Sequence, residues 1–531
     1  MIMQPLPIDT ESFELIRTLD PQRLYVDKTA HLHRLITDPQ ARNFFLARPR
    51  RFGKSLMIST LEAIFQGRRE LFNGLAIDGT GYDWNQYPVI HIDMSFCAAT
   101  EYDHFIQSLP IEIERALGEA GYLYDKNIQP SDNFGSAIDR FYAQGKQSVI
   151  LIDEYDDPVA KALKSPAQAQ RVRDALSMLY GQLKGRTKKI RFLMITGVSK
   201  FTKMSVFSTI SNLVDISFDD TYASMLGYTE EELDRYFPEY MARQAEMMGL
   251  DMTAYRAELR RLYNGYRFWK KRGENVYNPV SINLNLAKPA DEFNLYWTKT
   301  GRPSMLMNFI DRGDLISLDP ECITDVLESD FDVTDLNKLR ALPMLYQTGY
   351  LTIKEYNSLS RTYTLGIPDE EVRRDLSLLI TSQIASQDVA WAASLGAKLL
   401  NARWEQFFAG LEAMYAAATY GSTEGRVHES SYSRNLLFLL KGQGIVCQPE
   451  VQQSDGRADL VADHACGTYI FELKVDKPAA LATTQAERKA YAAPYAATGK
   501  PVWIIGLAFN SKIHRLIDHC VERFDAPLVK S

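Results

Sequence analysis

The first two hundred residues alternate short apolar runs with amphipathic stretches. Each apolar run is brief, rich in β-branched or aromatic residues and bounded by polar residues, as buried parallel strands are. The stretches between the runs, such as 55–65 and 167–183, have helical spacing. Alternation of strand and helix predicts an α/β domain in which helices cover a parallel sheet. The predicted strands are 43–47, 89–93, 148–153 and 190–196.

The length and charge of the chain limit the class of protein to which it can belong. Its 531 residues exceed one compact domain, and 46% hydrophobic with 24% charged residues is an ordinary globular balance. A net charge of −7 excludes a globally basic nucleic-acid binder but leaves room for a local basic groove. Five scattered cysteines without a CxxC pair predict reduced thiols, and no apolar stretch approaches the ~18 residues of a membrane span. We therefore expect a cytoplasmic protein that is not inserted in a membrane.

The rest of the chain divides into a helical middle and a second α/β region. Residues 224–261 have helical spacing, and Thr229 followed by three glutamates predicts a helix start. A helix followed by a β-hairpin over 342–373 is typical of a small winged-helix unit. The last hundred residues predict a helix, two strands, a helix and a strand, at 429–441, 458–463, 468–475, 483–497 and 501–508. We expect three parts, at 1–222, 223–400 and 401–531.

A phosphate-binding loop follows the first predicted strand. Strand, loop and helix is the context that a P-loop requires, and Gly53, Lys54 and Ser55 form its closing half. Arg48 stands where the consensus has its first glycine. Backbone N–H groups, a lysine and a hydroxyl for Mg²⁺ are what a phosphate chain needs.

The strand 148–153 ends in two acids that complete this site. In P-loop ATPases the Asp at that position, here Asp153, holds Mg²⁺ and the following Glu154 polarises the attacking water. Thr196, at the end of another strand, either senses the γ-phosphate or simply ends the strand. The residues predicted to bind ATP and Mg²⁺ are Arg50, Arg51, Phe52, Gly53, Lys54, Ser55, Asp153 and Thr196, with Ser55 and Asp153 on the metal.

A second constellation lies near the C-terminus. Side chains alternate along a strand, so Glu472 and Lys474 project from one face, and Asp459 on a paired strand can join them. Two carboxylates can hold a divalent metal, and the lysine can orient water or stabilise charge on a phosphodiester. The alternative is an exposed alternating strand without chemistry.

The motifs at 25–29, 48–55, 151–156 and 196–201 resemble those of the bacterial AAA-ATPase-like family whose members carry a C-terminal nuclease-like domain. The resemblance implies an ATPase of the AAA/STAND type. Asp459, Glu472 and Lys474, flanked by helices with Glu429 and Gln485, resemble the PD-(D/E)XK nuclease core in αββαβ order, with Ala458 replacing its proline. This second resemblance implies that Asp459 and Glu472 bind Mg²⁺ or Mn²⁺, with Glu429 as an accessory ligand. It also implies that Lys474 is catalytic and that Gln485 hydrogen-bonds within the site.

The leading hypothesis is an ATP-regulated, Mg²⁺-dependent nuclease whose partner is nucleic acid. One alternative is a STAND-like switch in signalling or defence whose nuclease fold binds nucleic acid without cutting it. A second is a DNA-binding regulator that acts through 342–366, although this region lacks a dense basic face. A homo-oligomer is left open, because an ATPase of this type can need a neighbour's arginine.

Overall fold

The structure is a computed structural model that describes residues 3–524, without 201–209, 211, 272, 298–318, 332–339, 419–428, 454–455, 482–491 and 497. The described residues group into two compact units, one up to residue 369 and one from residue 370 onward. The described part of 223–369 thus lies in the first unit, and the helices of 370–400 lie in the second. The division into three domains at 222 and 400 stays a prediction.

The first unit contains the α/β fold that the alternating pattern predicts. Its five described strands lie in the order β2-β3-β4-β1-β5, and all their pairings are parallel. Four of these strands are those predicted from apolar runs. Strand β3 is buried along its whole length, because helices pack on the sheet. The strands are β1 (Asn43–Ala47), β2 (Val89–Asp93), β3 (Ser148–Asp153), β4 (Ile190–Gly197) and β5 (Val214–Asp215).

The helices of this α/β part follow the predicted spacing. The helix after the phosphate loop starts at Lys54, one residue earlier than predicted, and the predicted helix 167–183 spans Pro166–Gly181. The helices are α1 (Phe13–Thr18), α2 (Thr29–Ile36), α3 (Lys54–Phe65), α4 (Tyr102–Glu119), α5 (Pro130–Ala143), α6 (Asp157–Ala162) and α7 (Pro166–Gly181).

Helices and two small sheets complete the first unit. Thr229 caps the next helix in a capping box with Glu232, as the Thr-Glu-Glu-Glu sequence predicts. The predicted helix and β-hairpin are present, and β8 adds a third strand to that hairpin. The elements are α8 (Glu230–Tyr236), α9 (Pro238–Met247), α10 (Met252–Tyr263), β6 (Asn264–Tyr266), β7 (Val276–Tyr277), α11 (Pro279–Ala287), β8 (Ile323–Val326), α12 (Ala341–Gln347), β9 (Thr352–Asn357) and β10 (Thr362–Gly366).

The second unit packs helices with a mixed five-stranded sheet in the order β11-β12-β13-β14-β15. The pair β13 and β14 is parallel, and the other pairs are antiparallel. The sequence interpretation missed β11 and β15, the two edge strands, and most of the predicted helix 483–497 lies outside the described residues. The elements are α13 (Glu370–Ile384), α14 (Val389–Leu400), α15 (Trp404–Ala417), α16 (Glu429–Gly442), β11 (Val446–Gln453), β12 (Gly456–His464), β13 (Gly467–Val475), α17 (Ala493–Ala496), β14 (Val502–Asn510) and β15 (Arg515–Phe524).

None of the helices in the described parts of the chain combines the length and apolar character needed to cross a membrane.

The segment after β3 is fastened to the end of β4. Asp156 is buried, and its carboxylate accepts the N–H groups of Val198 at 3.1 Å and Ser199 at 2.6 Å. The Tyr155 hydroxyl donates to the carbonyl of Ser199 at 2.8 Å. Both side chains cross over Gly197, where an added Cβ would contact Asp156 Oδ1 and lie 2.5 Å from Tyr155 Cδ1.

We expect Gly197→Ala to lower the free energy of unfolding by about 1–3 kcal/mol, because the methyl group would overpack this buried crossing. Chemical denaturation measures the change. Gly118→Ala is the matched control: Gly118 lies exposed in α4 with open space around its Cβ position. It should be neutral or stabilise by up to about 1 kcal/mol. Equal effects of the two substitutions would contradict the packing argument.

Candidate nucleotide and metal sites

The loop between β1 and α3 has the backbone shape that an anion-binding turn needs. Gly53 directly precedes α3 at φ 86°, and Arg51 lies at φ 71°, so two residues of the loop are left-handed. A side chain costs energy in that region, so a glycine suits position 53. The first N–H groups of the twelve-residue helix α3 have no acceptor within the helix, so they can bind phosphate. Ser55 is the second residue of this helix.

Lys54 is buried behind this loop, with 3% of its surface exposed. Its ammonium donates to the carbonyls of Arg48 at 3.2 Å and Pro49 at 3.3 Å. It also lies 3.2 Å from Glu154 Oε1. The loop, the lysine and the predicted hydrolytic glutamate therefore form one cluster.

Asp153, Glu154 and Thr196 meet at the carboxyl ends of the neighbouring strands β3 and β4. Asp153 is buried, and its Oδ1 accepts a short hydrogen bond from the Thr196 hydroxyl and another from the Glu154 N–H at 3.0 Å. Thr196 therefore orients Asp153 in this structure. Glu154 lies at φ 47°, a strained backbone conformation of the kind that collects at functional sites.

Glu11 joins this cluster, and the sequence interpretation missed it. Burial and the charge of Asp153 raise the pKa of Glu11, while a hydrogen bond from the Ser55 hydroxyl opposes that rise. Glu11 precedes α1 and belongs to none of the motifs, so the sequence contained no signal for its position.

Arg48, which replaces the consensus glycine, is buried and links the loop to other segments. Its Nη1 donates to the carbonyl of Ser217 at 2.7 Å, and its guanidinium carbon lies 4.1 Å from the centre of the Phe268 ring. Its backbone N–H donates to Gly197 at 3.1 Å. Burial lowers the pKa of Arg48 to about 10, so it stays charged at neutral pH.

The other predicted loop contacts differ in placement. The Arg50 side chain is about half exposed, with Nη2 3.5 Å from Asp157 Oδ1. The Phe52 ring is buried and packs edge to face against Tyr266 and Phe268. Its ring therefore serves packing, and its backbone N–H is the group that fits a phosphate.

An apolar cleft of about 60 Å³ lies beside Gly53. At its rim, the buried Lys28 ammonium donates to the carbonyl of Ser224 at 2.8 Å and to Glu232 at 2.7 Å. Burial lowers the pKa of Lys28, and the charge of Glu232 opposes that shift. This contact joins α2 to the capped start of α8. The side chains that line the cleft include Tyr25, Leu56, Met57, Thr60, Leu226 and Tyr228.

In the second unit the structure brings Asp459, Glu472 and Lys474 together. Asp459 Oδ2 accepts the N–H of Leu473, between the other two residues, at 2.8 Å. Lys474 Nζ lies 3.2 Å from Glu472 Oε2, and Glu472 is buried with 1% of its surface exposed. A buried carboxylate on a strand beside a second carboxylate provides the oxygen ligands that Mg²⁺ and Mn²⁺ prefer.

Two predicted members of this site cannot be placed. Glu429 is the first residue of α16, but its side chain lies outside the described residues, as does Gln485. Among the described residues, no group of three or more His, Cys, Asp or Glu side chains is arranged to hold a metal ion. The pair Asp459 and Glu472 therefore carries the fit to a divalent ion.

Comparison with known proteins identifies both domains. A family model described as a predicted AAA-ATPase matches residues 7–207, and one for the PD-(D/E)XK nuclease superfamily matches residues 427–519. Two solved structures of the ORC2 protein of Aeropyrum pernix are similar at 13% identity. The match to the structure with ADPNP and ADP covers 80% of this chain and 85% of the ORC2 chain, at a TM-score of 0.30. The match to the ADP form covers 64% of this chain and 87% of the ORC2 chain, at a TM-score of 0.26.

A relative from Azotobacter chroococcum mcd 1, described as an uncharacterized protein in the vnfD 5′ region, is 33% identical over 540 residues. The match covers 98% of this chain and 99% of that protein, so it extends across both domains and the region between them. The chain therefore belongs to the family of AAA-ATPase-like proteins that carry a C-terminal domain of the PD-(D/E)XK nuclease superfamily.

Proposed function

We propose that the chain is an ATP-hydrolysing protein coupled to a metal-dependent nuclease that cleaves phosphodiester bonds of nucleic acid. The observation that carries this proposal is that each domain keeps its lysine against a predicted catalytic acid: Lys54 at Glu154, and Lys474 at Glu472. The functional division is 1–222 for the ATPase, 223–400 for the relay and 401–531 for the nuclease. None of the five cysteines, all within the described residues, forms a disulfide, which supports a place in the cytoplasm.

In the ATPase half, the loop N–H groups and the start of α3 bind the phosphates of ATP, while the apolar cleft beside Gly53 accepts its base. Lys54 exchanges its contact with Glu154 for the β- and γ-phosphates. Glu154 is then free to polarise the attacking water, and Thr196 keeps Asp153 oriented. Ser55 and Asp153 would hold Mg²⁺, which offsets the negative charge of the phosphates.

In the nuclease half, Asp459 and Glu472 would hold Mg²⁺ or Mn²⁺, and that ion would polarise the phosphodiester and activate a water. Lys474 orients that water or stabilises the charge that develops on the phosphate. The backbone bond from Leu473 to Asp459 keeps the two carboxylates beside each other, so the pair does not have to be ordered on binding.

We expect Glu154→Gln to lower the turnover number of ATP by about 100-fold or more, because the amide cannot take up a proton. ATP affinity should be retained, since Lys54 and the loop remain. Phosphate release and binding of a fluorescent ATP analogue measure the two properties.

Glu101→Gln is the matched control, because Glu101 is exposed ahead of α4 and should leave turnover unchanged. Lys54→Ala should abolish ATP binding, whereas Lys184→Ala, at an exposed position of the same unit, should not. Wild-type turnover by Glu154→Gln would refute the assignment of Glu154.

For the nuclease, Lys474→Ala should lower Mg²⁺-dependent cleavage of DNA or RNA by about 100-fold or more, since the group that orients the water is lost. Glu472→Gln should lower this metal-dependent cleavage as well, because a metal ligand is lost, and EDTA should stop the wild-type reaction. Cleavage is measured on end-labelled DNA and RNA with Mg²⁺ or Mn²⁺, with and without ATP.

The controls are Lys398→Ala in α14 and Glu405→Gln in α15, which should cleave like the wild type. ATP turnover of all four variants should equal that of the wild type. A wild-type protein that turns over ATP but cuts neither DNA nor RNA would contradict the nuclease half. It would leave a STAND-like switch that binds nucleic acid without cleaving it.

A further inference from the structure

The turn that joins β14 to β15, residues 511–514, is fastened to the end of the strand that carries Glu472 and Lys474. Asp476 accepts the Ser511 N–H at 2.9 Å and the Ser511 hydroxyl at 2.6 Å. The Asp476 N–H donates to the carbonyl of Phe509 at 2.8 Å. Asp476 is two residues after Lys474, so the turn is held next to the end of β13 that bears the candidate site.

The same turn also contacts the helix that begins at Glu429. Tyr432 in α16 stacks on Phe509 with ring centres 4.1 Å apart. Its hydroxyl lies 3.5 Å from Nδ1 of His514. The turn therefore contacts α16 and the residue that directly follows β13, and both of these elements carry predicted site residues.

The backbone of the turn is held by its own hydrogen bonds. Asn510 Oδ1 accepts the N–H groups of Lys512 at 2.9 Å and Ile513 at 3.2 Å, and the Asn510 carbonyl accepts that of His514 at 2.9 Å. Side-chain bonds of this type fix an Asx turn. The side chains of the turn thus start from a fixed position.

Two exposed cations flank this turn, Lys512 within it and Arg515 directly after it at the start of β15. In the parts of the chain that the structure describes, neither lies within 4.0 Å of an acidic group. Arg515 pairs in register with Asn510, so both cations flank the same tip of the hairpin. In a chain of net charge −7, this pair of exposed cations beside the end of β13 is a local basic feature of the kind that a polyanion needs.

We propose that the β14–β15 turn is the nucleic-acid contact of the nuclease domain, with Lys512 and Arg515 binding backbone phosphates beside the scissile bond. The inference rests on the proposed nuclease function and names its substrate-holding residues. Phosphate contacts position a duplex or strand without reading its sequence, so this contact provides affinity and register and no sequence preference.

The test compares the full-length double variant Lys512→Ala/Arg515→Ala with the wild type. We expect the KM for end-labelled DNA or RNA to rise by about 10-fold or more at 150 mM salt, with little change in the turnover number at saturation. Each lost phosphate contact reduces the slope of log K against log salt by about 0.9 on duplex DNA or about 0.7 on a single strand. The binding slope, measured with Ca²⁺ in place of Mg²⁺, should therefore fall by about 1.4–1.8.

Two further variants make the result specific. Lys398→Ala/Arg403→Ala removes the same charge at and just after the end of α14 and should keep the wild-type slope. The variant Lys512→Arg/Arg515→Lys keeps the charge and should also keep the wild-type salt slope. ATP turnover should be unchanged in all variants, and an unchanged turnover number for cleavage at saturation reports correct folding of the second unit.

An unchanged KM and slope in the double alanine variant, in a protein that cleaves, would overturn the turn assignment and leave the nuclease function standing. An equal loss in the Lys398/Arg403 variant would overturn it as well, because the effect would then be one of total charge. A wild-type protein that binds but does not cleave would refute the nuclease function alone, and the salt slope would still decide the role of the turn.

Discussion

Burial of the Lys54 ammonium is the constraint on which the nucleotide site depends. A buried cation without partners would cost several kcal/mol, so it needs acceptors close by. The structure supplies two carbonyls of the loop and the carboxylate of Glu154. The loop can turn those carbonyls inward because Arg51 and Gly53 adopt left-handed conformations. Lys54 thereby holds the phosphate loop and the acids of β3 together before any nucleotide binds.

The same cluster is connected to the rest of the first unit through two buried charges. Asp156 holds the backbone that follows β4, and burial together with the charge of Glu154 raises its pKa to about 6. Arg48 reaches from the loop to Ser217 and to the Phe268 ring. A shift of the loop on phosphate binding would therefore also move segments that contact no nucleotide. A relay requires this property.

In the second unit, a β-sheet holds the charged side chains of the candidate site together. Strand alternation places Glu472 and Lys474 on one face, and the N–H between them holds Asp459. The acids that fit a metal would repel a polyanion in a chain that is already negative. Exposed cations on a rigid neighbouring turn offset that repulsion locally, and the bound metal would offset more of it.

The sequence by itself determined the elements whose signals are local. Apolar runs predicted four strands of the first sheet, glycine and lysine chemistry predicted the phosphate loop, and the ExK alternation predicted the second cluster. Tertiary structure alone decided which distant residues join them. Glu11 approaches Ser55, Arg48 meets Phe268, and the turn at Lys512 lies beside the end of β13 because β13 and β14 pair in parallel across a long connection. The edge strands β11 and β15 carry polar and charged residues and were missed, since pairing with a neighbour, rather than an apolar run, makes them strands.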